Sequence, residues 1–244
     1  MSLENVSVVI PALNEESTVA GVVRAVAADE PGEIIVIDSD STDATAAEAA
    51  AAGASVVNWR DALPVPPVPG KGEALWRGVA AAEGDLMVFV DADLESPRPG
   101  MVRALAAPFA DQAIHLVKAF YRRPLGTDPH GGGRVTELTT KPLLRALVPD
   151  LADVRQPLSG EYAIRRETAL GLPFAARYGV EVGLLIDVAT RYGAGAIAQV
   201  DLGVREHRHR PLAELATMAD EVVGTILFQC HLGAFEGRPP IKEM

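Results

Sequence analysis

The sequence predicts an α/β fold in which a mostly parallel, Rossmann-like sheet is flanked by helices. Three short runs, Val6–Ile10, Ile34–Ile37 and Leu86–Val90, are nearly continuous in apolar residues, as strands buried on both faces are. Helical patterns separate them: valines repeat at helical spacing over Val19–Val26, and an alanine-rich stretch ends near Ala52. This alternation is typical of a parallel sheet with right-handed crossovers.

Composition restricts the possible partners. The 244-residue chain is 48% hydrophobic with a net charge of -11, so it can bury a large core but lacks the basic surface that nucleic acids or anionic membranes require. Its single cysteine, Cys230, excludes an internal disulfide and a cysteine-built zinc site. No apolar stretch approaches the roughly 20 residues that span a bilayer, and no signal peptide is recognisable. We therefore expect a cytoplasmic protein.

Polar residues follow the first two predicted strands, at the edge where open α/β sheets bind ligands. The first strand runs into a loop in which Asn14 is suited to cap the next helix and Glu15 to lie at its positive end. The second strand runs into Asp38–Asp43. These carboxylates are interpreted as a strand end with a helix cap or as a contact to the base or ribose of a nucleotide, and both can hold together.

Asp91 and Asp93 follow the third apolar run with one residue between them. Two carboxylates this close repel each other unless a cation or hydrogen-bond donors lie between them, and a hard divalent ion carrying phosphate oxygens is the usual solution. An ordinary polar turn after a strand is the alternative. The tripeptide alone leaves both open.

Two later segments offer contacts to anions. Lys71 lies between glycines at the start of a predicted helix, where it suits a phosphate although the sequence does not match a P-loop. Arg134 and Thr136 follow three consecutive glycines at another helix start, which favours a phosphate site. A solvated lysine and a flexible loop are the alternatives.

The region beyond residue 150 adds three candidates. Gly160 permits close backbone approach. Glu181 is expected in the first turn of a helix, where the dipole favours an acid without any functional role. Arg205–Arg210, which contains His207, is either a polar loop or a metal-binding imidazole with arginines for a diphosphate.

Two segments are expected to be irregular. The prolines of Asp61–Pro69 exclude a helix or a central strand, so we expect an extended or mobile loop at the rim of the sheet. The C-terminal stretch Glu236–Pro240 is expected to be frayed.

In their order along the chain, Val9–Glu15, Asp38–Asp43 and Asp91–Asp93 resemble the nucleotide-diphospho-sugar transferases of the GT-A fold. Five further segments are similar to the glucosyl-3-phosphoglycerate synthase family of retaining transferases: Pro69–Trp76, Gly131–Leu138, Pro157–Glu161, Tyr178–Leu184 and Gly203–Pro211. The similarity covers nearly the whole chain.

The resemblance implies a role for each matching position. The residues implied around the donor UDP-glucose are Pro11, Ala12, Leu13, Asn14, Glu15, Ser39, Lys71, Asp91, Ala92, Tyr178, Arg205 and Met218. Asp93 and His207 would bind Mg²⁺ or Mn²⁺, and Arg205 and Arg210 would hold the diphosphate. The segment implied for the phosphate of 3-phosphoglycerate is Gly133, Arg134, Val135 and Thr136.

The implied reaction transfers glucose from UDP-glucose, or another glucose nucleotide, to 3-phosphoglycerate with retention, using Asp93, Glu181, His207 and Arg210 as catalytic residues. No carboxylate presents itself as a nucleophile for double displacement. We therefore expect same-face attack, in which a donor phosphate oxygen takes the acceptor's proton and Glu181 holds sugar hydroxyls. The alternatives are a GT-A transferase with another acceptor, such as polyprenyl phosphate, and a non-catalytic nucleotide-sugar sensor.

We expect one GT-A domain over residues 1–244. Residues 1–120 would bind the nucleotide sugar, and residues 121–244 would bind the acceptor and end in a long amphipathic helix. The resemblance also implies a homodimer, with this helix as a candidate contact. The expected partners are the two small-molecule substrates, and neither nucleic acid nor a membrane is expected.

Overall fold

The computed structural model describes residues 2–123, 132–205, 212–234 and 237–243. The strands in these ranges are β1 (Val6–Ala12), β2 (Glu33–Asp38), β3 (Ser55–Asn58), β4 (Leu86–Phe89), β5 (Leu116–Arg122), β6 (Tyr162–Arg165), β7 (Phe174–Ala175), β8 (Ile197–Val204) and β9 (Gly237–Arg238). The α-helices are α1 (Val19–Ala27), α2 (Thr45–Ala51), α3 (Trp59–Ala62), α4 (Lys71–Ala81), α5 (Met101–Ala106), α6 (Lys141–Leu147), α7 (Arg166–Leu170), α8 (Val180–Tyr192) and α9 (Leu212–Gln229). Within these ranges, no helix has the length and apolar character needed to cross a bilayer.

Seven of the described strands form one sheet in the order β3-β2-β1-β4-β6-β5-β8, and β7 pairs with β9. Neighbouring strands of the large sheet run parallel, except that β6 is antiparallel to both β4 and β5. The predicted mostly parallel sheet flanked by helices is therefore confirmed. The carboxyl ends of β1, β2 and β4 and the beginning of β6 meet at one edge of this sheet.

The sheet is covered on both faces, which explains the continuous apolar sequence of its central strands. In β1, Val8 and Ile10 pack into one hydrophobic layer, whereas Val9 packs into the other with Trp76 of α4. All four side chains are fully buried. Burial of one such side chain stabilises the fold by about 1.5–3 kcal/mol. The carboxyl edge is thus anchored to a tightly packed core.

The two segments expected to be irregular are more ordered than predicted. Helix α3 includes Asp61 and Ala62, because the side chain of Asn58 caps it by accepting a hydrogen bond from the Arg60 amide at 2.9 Å. The described part of the C-terminal stretch is not frayed: β9 pairs with β7, and Arg238 donates to Glu73 at 2.8 Å. A local side-chain cap thus orders the first segment, and a partner distant in sequence orders the second.

Candidate active site

A cavity of about 510 Å³ opens at the carboxyl edge of the sheet. The sequence-predicted site residues that line it are Pro11, Ala12, Leu13, Glu15, Ser39, Lys71, Asp91, Ala92, Asp93, Gly133, Arg134, Val135, Thr136, Tyr178, Glu181, Arg205 and Met218. The lining residues that were not predicted as site residues include Trp59, Ala74, Arg123, Leu158, Arg177, Leu215 and Glu221. His207 and Arg210 lie outside the described residues.

Asn14 is a predicted site residue that does not line the cavity. Its backbone adopts a left-handed conformation with φ of 57°. Its amide donates to Ser41 Oγ at 3.0 Å, and its Oδ1 accepts from the Thr42 amide at 2.8 Å. Because α1 begins only at Val19, Asn14 does not cap it as expected. Asn14 instead ties the loop after β1 to the loop after β2.

The two acids at the end of β2 and just beyond it, Asp38 and Asp40, do not line the cavity either. Asp40 forms an ion pair with Arg60 at 2.5 Å, and this guanidinium holds the pKa of Asp40 well below its usual range. The Oδ1 of Asp38 accepts a hydrogen bond from the Ser41 amide at 3.3 Å. Ser39, between them, is the residue of this trio that lines the cavity. The local, structural interpretation therefore accounts for both carboxylates.

Lys71 bridges two carboxylates at the start of α4. Its Nζ lies 2.5 Å from Asp91 Oδ1 and 2.6 Å from Glu181 Oε1. Burial alone lowers the pKa of this amine, but the two neighbouring carboxylates overcome that effect and hold its pKa well above the usual value. Lys71 is therefore charged at neutral pH, and it links the residues after β4 to the first turn of α8.

Arg205, which follows β8 and lines the cavity, contacts three acids. Its Nη2 donates to Asp91 Oδ2 at 2.9 Å and to Asp93 Oδ1 at 3.2 Å, and its Nη1 lies 3.1 Å from Glu161 Oε2. Although burial raises the pKa of Asp91, Lys71 and Arg205 lower it more strongly, so this carboxyl stays ionised. Burial is also the main reason why the pKa of Glu161 is raised.

Gly160 packs directly against Asp91. A Cβ atom on Gly160 would lie 2.0 Å from Asp91 Oδ2. This approach is possible because β6 runs antiparallel to β4, so the residues that precede β6 lie beside those that follow β4. Gly160 therefore makes the close backbone approach expected from the sequence, and the group that it approaches is the Asp91 carboxylate.

Asp93 fits a divalent cation better than Asp91 does. Its side chain is 30% exposed on the cavity wall, whereas Asp91 is 17% exposed and is held between Lys71 and Arg205. A carboxylate is the hard oxygen donor that Mg²⁺ and Mn²⁺ prefer. No cluster of three potential metal-ligating side chains occurs among the described residues.

A glycine-rich turn forms another part of the wall. Gly133 has a left-handed φ of 76°, and its carbonyl accepts a hydrogen bond from the Glu137 amide at 3.0 Å. Thr136, at the start of a π-helical turn (Thr136–Thr140), is largely buried. Arg123, which directly follows β5, flanks this turn. The turn thus brings Arg134 and Arg123 to the same cavity as the acidic pair.

Comparison with known proteins defines the family. The model of the family named Glycosyl transferase family 2 matches residues 7–153. A glucosyl-3-phosphoglycerate synthase of Mycolicibacterium smegmatis is 55% identical over 236 residues, which cover 93% of this chain and 78% of the relative. The chain therefore belongs to glycosyl transferase family 2, among the glucosyl-3-phosphoglycerate synthases. The resemblance predicted from the ordered motifs is confirmed.

Solved structures of this synthase family share the fold. The glucosyl-3-phosphoglycerate synthase of Mycobacterium tuberculosis in complex with Mn²⁺, UDP-glucose and phosphoglyceric acid matches with a TM-score of 0.92 at 49% identity, over 98% of this chain and 90% of that chain. Its complex with Mn²⁺, UDP and glucosyl-3-phosphoglycerate matches with a TM-score of 0.92 at 48% identity, over 98% and 91% of the two chains.

Proposed function

We propose that this chain transfers glucose from UDP-glucose to the hydroxyl of 3-phosphoglycerate with retention of configuration, in the presence of Mg²⁺ or Mn²⁺, and releases UDP and glucosyl-3-phosphoglycerate. The observation that carries the proposal is the charged network at one cavity edge, in which Lys71 joins Asp91 to Glu181 and Arg205 joins Asp91 to Asp93. The proposal agrees with the ligands of the Mycobacterium tuberculosis synthase structures.

The donor is assigned to the side of the cavity formed by the strand ends and α4. Pro11–Glu15, Ser39 and Lys71 surround the nucleotide, with Asn14 acting through the loop that it fastens. Asp91 and Ala92 support it from the end of β4, and Tyr178, Glu181 and Met218 face the glucose. Arg205 and Arg210 hold the diphosphate, because guanidinium groups bind phosphate oxygens in a fixed geometry.

The acceptor is assigned to the glycine-rich turn. Gly133 and Val135 shape the turn, while Arg134 and the Thr136 hydroxyl bind the phosphate of 3-phosphoglycerate. We likewise propose one domain in which residues 1–120 mainly hold the donor and residues 121–244 mainly hold the acceptor. A homodimer with α9 as a contact and a cytoplasmic location complete the proposal.

Asp93 and His207 are the residues that would hold the divalent cation. When bound, the cation neutralises part of the negative charge that develops on the leaving diphosphate. Arg205 and Arg210 contribute to the same stabilisation from the protein side. Asp93, His207 and Arg210 are therefore assigned to the leaving group.

Glu181 is assigned to positioning the sugar and not to nucleophilic attack. Its side chain is 5% exposed and its Oε1 is 2.6 Å from Lys71, so the ammonium group already engages the carboxylate. In same-face transfer, the bond from the anomeric carbon to the diphosphate breaks as the acceptor oxygen attacks, and a diphosphate oxygen takes the acceptor's proton. Glu181 then needs only to hold sugar hydroxyls in place.

The decisive experiment measures UDP release with UDP-glucose, Mn²⁺ and one acceptor at a time. We expect release with 3-phosphoglycerate and an α-linked product by NMR, with loss of activity in EDTA and recovery when Mn²⁺ is added. Release only with polyprenyl phosphate would contradict the acceptor, and tight UDP-glucose binding without turnover would indicate a sensor.

Three substitutions test the roles within the site. Asp93→Ala and His207→Ala should abolish activity, whereas Glu181→Gln should retain substantial activity, because an amide still holds hydroxyls. Asp150→Ala removes an exposed acid that does not line the cavity and serves as the control. A covalent glucosyl adduct on Glu181 would overturn the same-face mechanism.

A further inference from the structure

Helix α4 connects the candidate site to the C-terminal segment, defined here as residues 237–243. Its first residue, Lys71, lines the cavity. Further along the helix, Glu73, Trp76 and Arg77 are buried, and the first two of these contact the C-terminal segment directly. A residue of this segment can therefore influence the cavity through the helix, although the segment itself does not line the cavity.

Arg238 holds the buried carboxylate of Glu73. Its Nε donates to Glu73 Oε2 at 2.8 Å, and its Nη2 lies 3.1 Å from Oε1. Arg77 donates to the same Oε1 at 2.8 Å. The Glu73 side chain is 1% exposed, and so buried a charge requires charged partners. The two-point contact of Arg238 fixes the orientation of the C-terminal segment on α4.

The same two arginines fasten the proline-rich segment, residues 63–69. Arg238 Nη2 also donates to the Pro66 carbonyl at 2.6 Å. Arg77 donates to the carbonyls of Trp59 (2.6 Å), Leu63 (3.3 Å) and Val65 (2.6 Å). Because proline has no amide hydrogen, such a segment forms few backbone hydrogen bonds of its own and depends on side-chain donors. The segment ends at Pro69 on the cavity wall.

The C-terminal segment also holds β7, which packs on α4. In the β7–β9 ladder, Phe174 pairs with Arg238 and Ala175 pairs with Gly237, and β7 leads directly toward Tyr178 on the cavity wall. Strand β7 packs closely on the first turn of α4, since a Cβ atom on Gly72 would lie 2.0 Å from the Ala175 carbonyl oxygen. Arg238 therefore contacts both the proline-rich segment and β7.

We propose that Arg238 is a positioning residue for the donor side of the site. It fixes the proline-rich segment, which ends at Pro69, and the connection from β7 to Tyr178, and it does not line the cavity itself. The proposal rests on the nucleotide-sugar binding proposed above. A misplacement of about 1 Å in such groups reduces rates by up to about a hundredfold. Because the affected groups, Pro69, Lys71 and Tyr178, lie on the side assigned to the donor, we also expect a selective loss of donor affinity when Arg238 is replaced.

The test compares full-length Arg238→Gln, Arg238→Lys and Lys242→Gln with the wild type. Lys242 lies in the same segment, but its ion pair is with the highly exposed Glu167 of α7 at 3.5 Å, so Lys242→Gln is a charge-matched control. The measurements are the Kd of UDP by calorimetry, the KM for each substrate, and the folded fraction by circular dichroism.

Arg238→Gln should raise the UDP Kd and the UDP-glucose KM by roughly tenfold or more, with the 3-phosphoglycerate KM within about twofold of wild type. Arg238→Lys should lie in between, because one ammonium group cannot reproduce the two-point contact. Lys242→Gln should match the wild type.

Wild-type UDP affinity in folded Arg238→Gln would overturn the proposal, as would equal losses for both substrates. If Arg238→Gln does not fold, an unchanged UDP Kd in Arg238→Lys has the same consequence. If the wild-type chain bound UDP but did not transfer glucose, the proposed transferase function would be refuted. The comparison of UDP affinities between the variants and the wild type would still test the role of Arg238.

Discussion

Substitution of Gly160 by alanine tests whether Asp91 is held as tightly as the ion pairs indicate. The new methyl group would lie 2.0 Å from Asp91 Oδ2 and 2.4 Å from Cγ, whereas contacting heavy atoms stay about 3.5 Å apart. Relief requires a shift of more than about 1 Å. Asp91 cannot move that far and keep both Lys71 at 2.5 Å and Arg205 at 2.9 Å.

Loss of one charged hydrogen bond costs about 1.5–3 kcal/mol, and this is the expected decrease in the free energy of unfolding of Gly160→Ala. Displacement of Asp91 should also lower kcat/KM for UDP-glucose by about a hundredfold. Urea unfolding and the UDP-release assay measure the two effects.

Gly195→Ala is the matched control for this substitution. Gly195 lies in the short turn Ala194–Ala196, away from the cavity and from α9, and no described atom is near the position of an added Cβ, so alanine should change the free energy of unfolding by less than about 1 kcal/mol and leave activity unchanged. If Gly160→Ala unfolded like the wild type and kept its kcat/KM, the proposed constraint on Asp91 would be wrong.

Two further predictions concern buried charges. Lys71→Met removes the cation between Asp91 and Glu181 and should lower the free energy of unfolding at pH 7 by about 3 kcal/mol. The control, Lys141→Met, removes a surface ion pair and should lower it by less than about 1 kcal/mol. Equal decreases for the two variants in urea unfolding would refute the argument. Burial raises the pKa of Asp187 to about 6, and its Oδ2 has no hydrogen-bond partner among the described residues. Because the folded-state pKa lies above the unfolded value, stability is lost as pH rises from about 4 to about 6. Asp187→Asn should therefore raise the Tm at pH 7.5 but not at pH 4, and an equal effect at both pH values would contradict this assignment.

The layout of the sheet was predictable because its signals are local. Apolar runs define β1, β2 and β4, and their carboxyl ends define the cavity edge. The direction of β6 was not predictable, because four residues, Tyr162–Arg165, carry no signal for antiparallel pairing. The order of α3 depends on a local cap by Asn58, whereas the order of the C-terminal segment depends on Arg238, whose partner Glu73 is 165 positions away in the sequence.

The candidate site was predictable where residues occur in motifs. Lys71 was correctly placed at a helix start, but its bridge between Asp91 and Glu181 joins residues 20 and 110 positions apart, and nothing in their spacing indicates it. Arg177 and Glu221 line the cavity without belonging to a motif, and a 3.4 Å ion pair links them across 44 residues. Tertiary contacts of this kind leave no periodic pattern in the sequence.

The order in which the partners of Asp91 occur along the chain affects folding during synthesis. Lys71 is synthesised before Asp91, but Gly160 and Glu161 follow much later, and Arg205 follows 114 residues after Asp91. Strands β1, β2 and β4 can pair while the rest of the chain is still being made. The acidic pair gains its second cation only when β8, the last strand of the large sheet, has docked against β5. A nascent chain can therefore pair the strands that carry the cavity edge before it completes the charged network of its binding site.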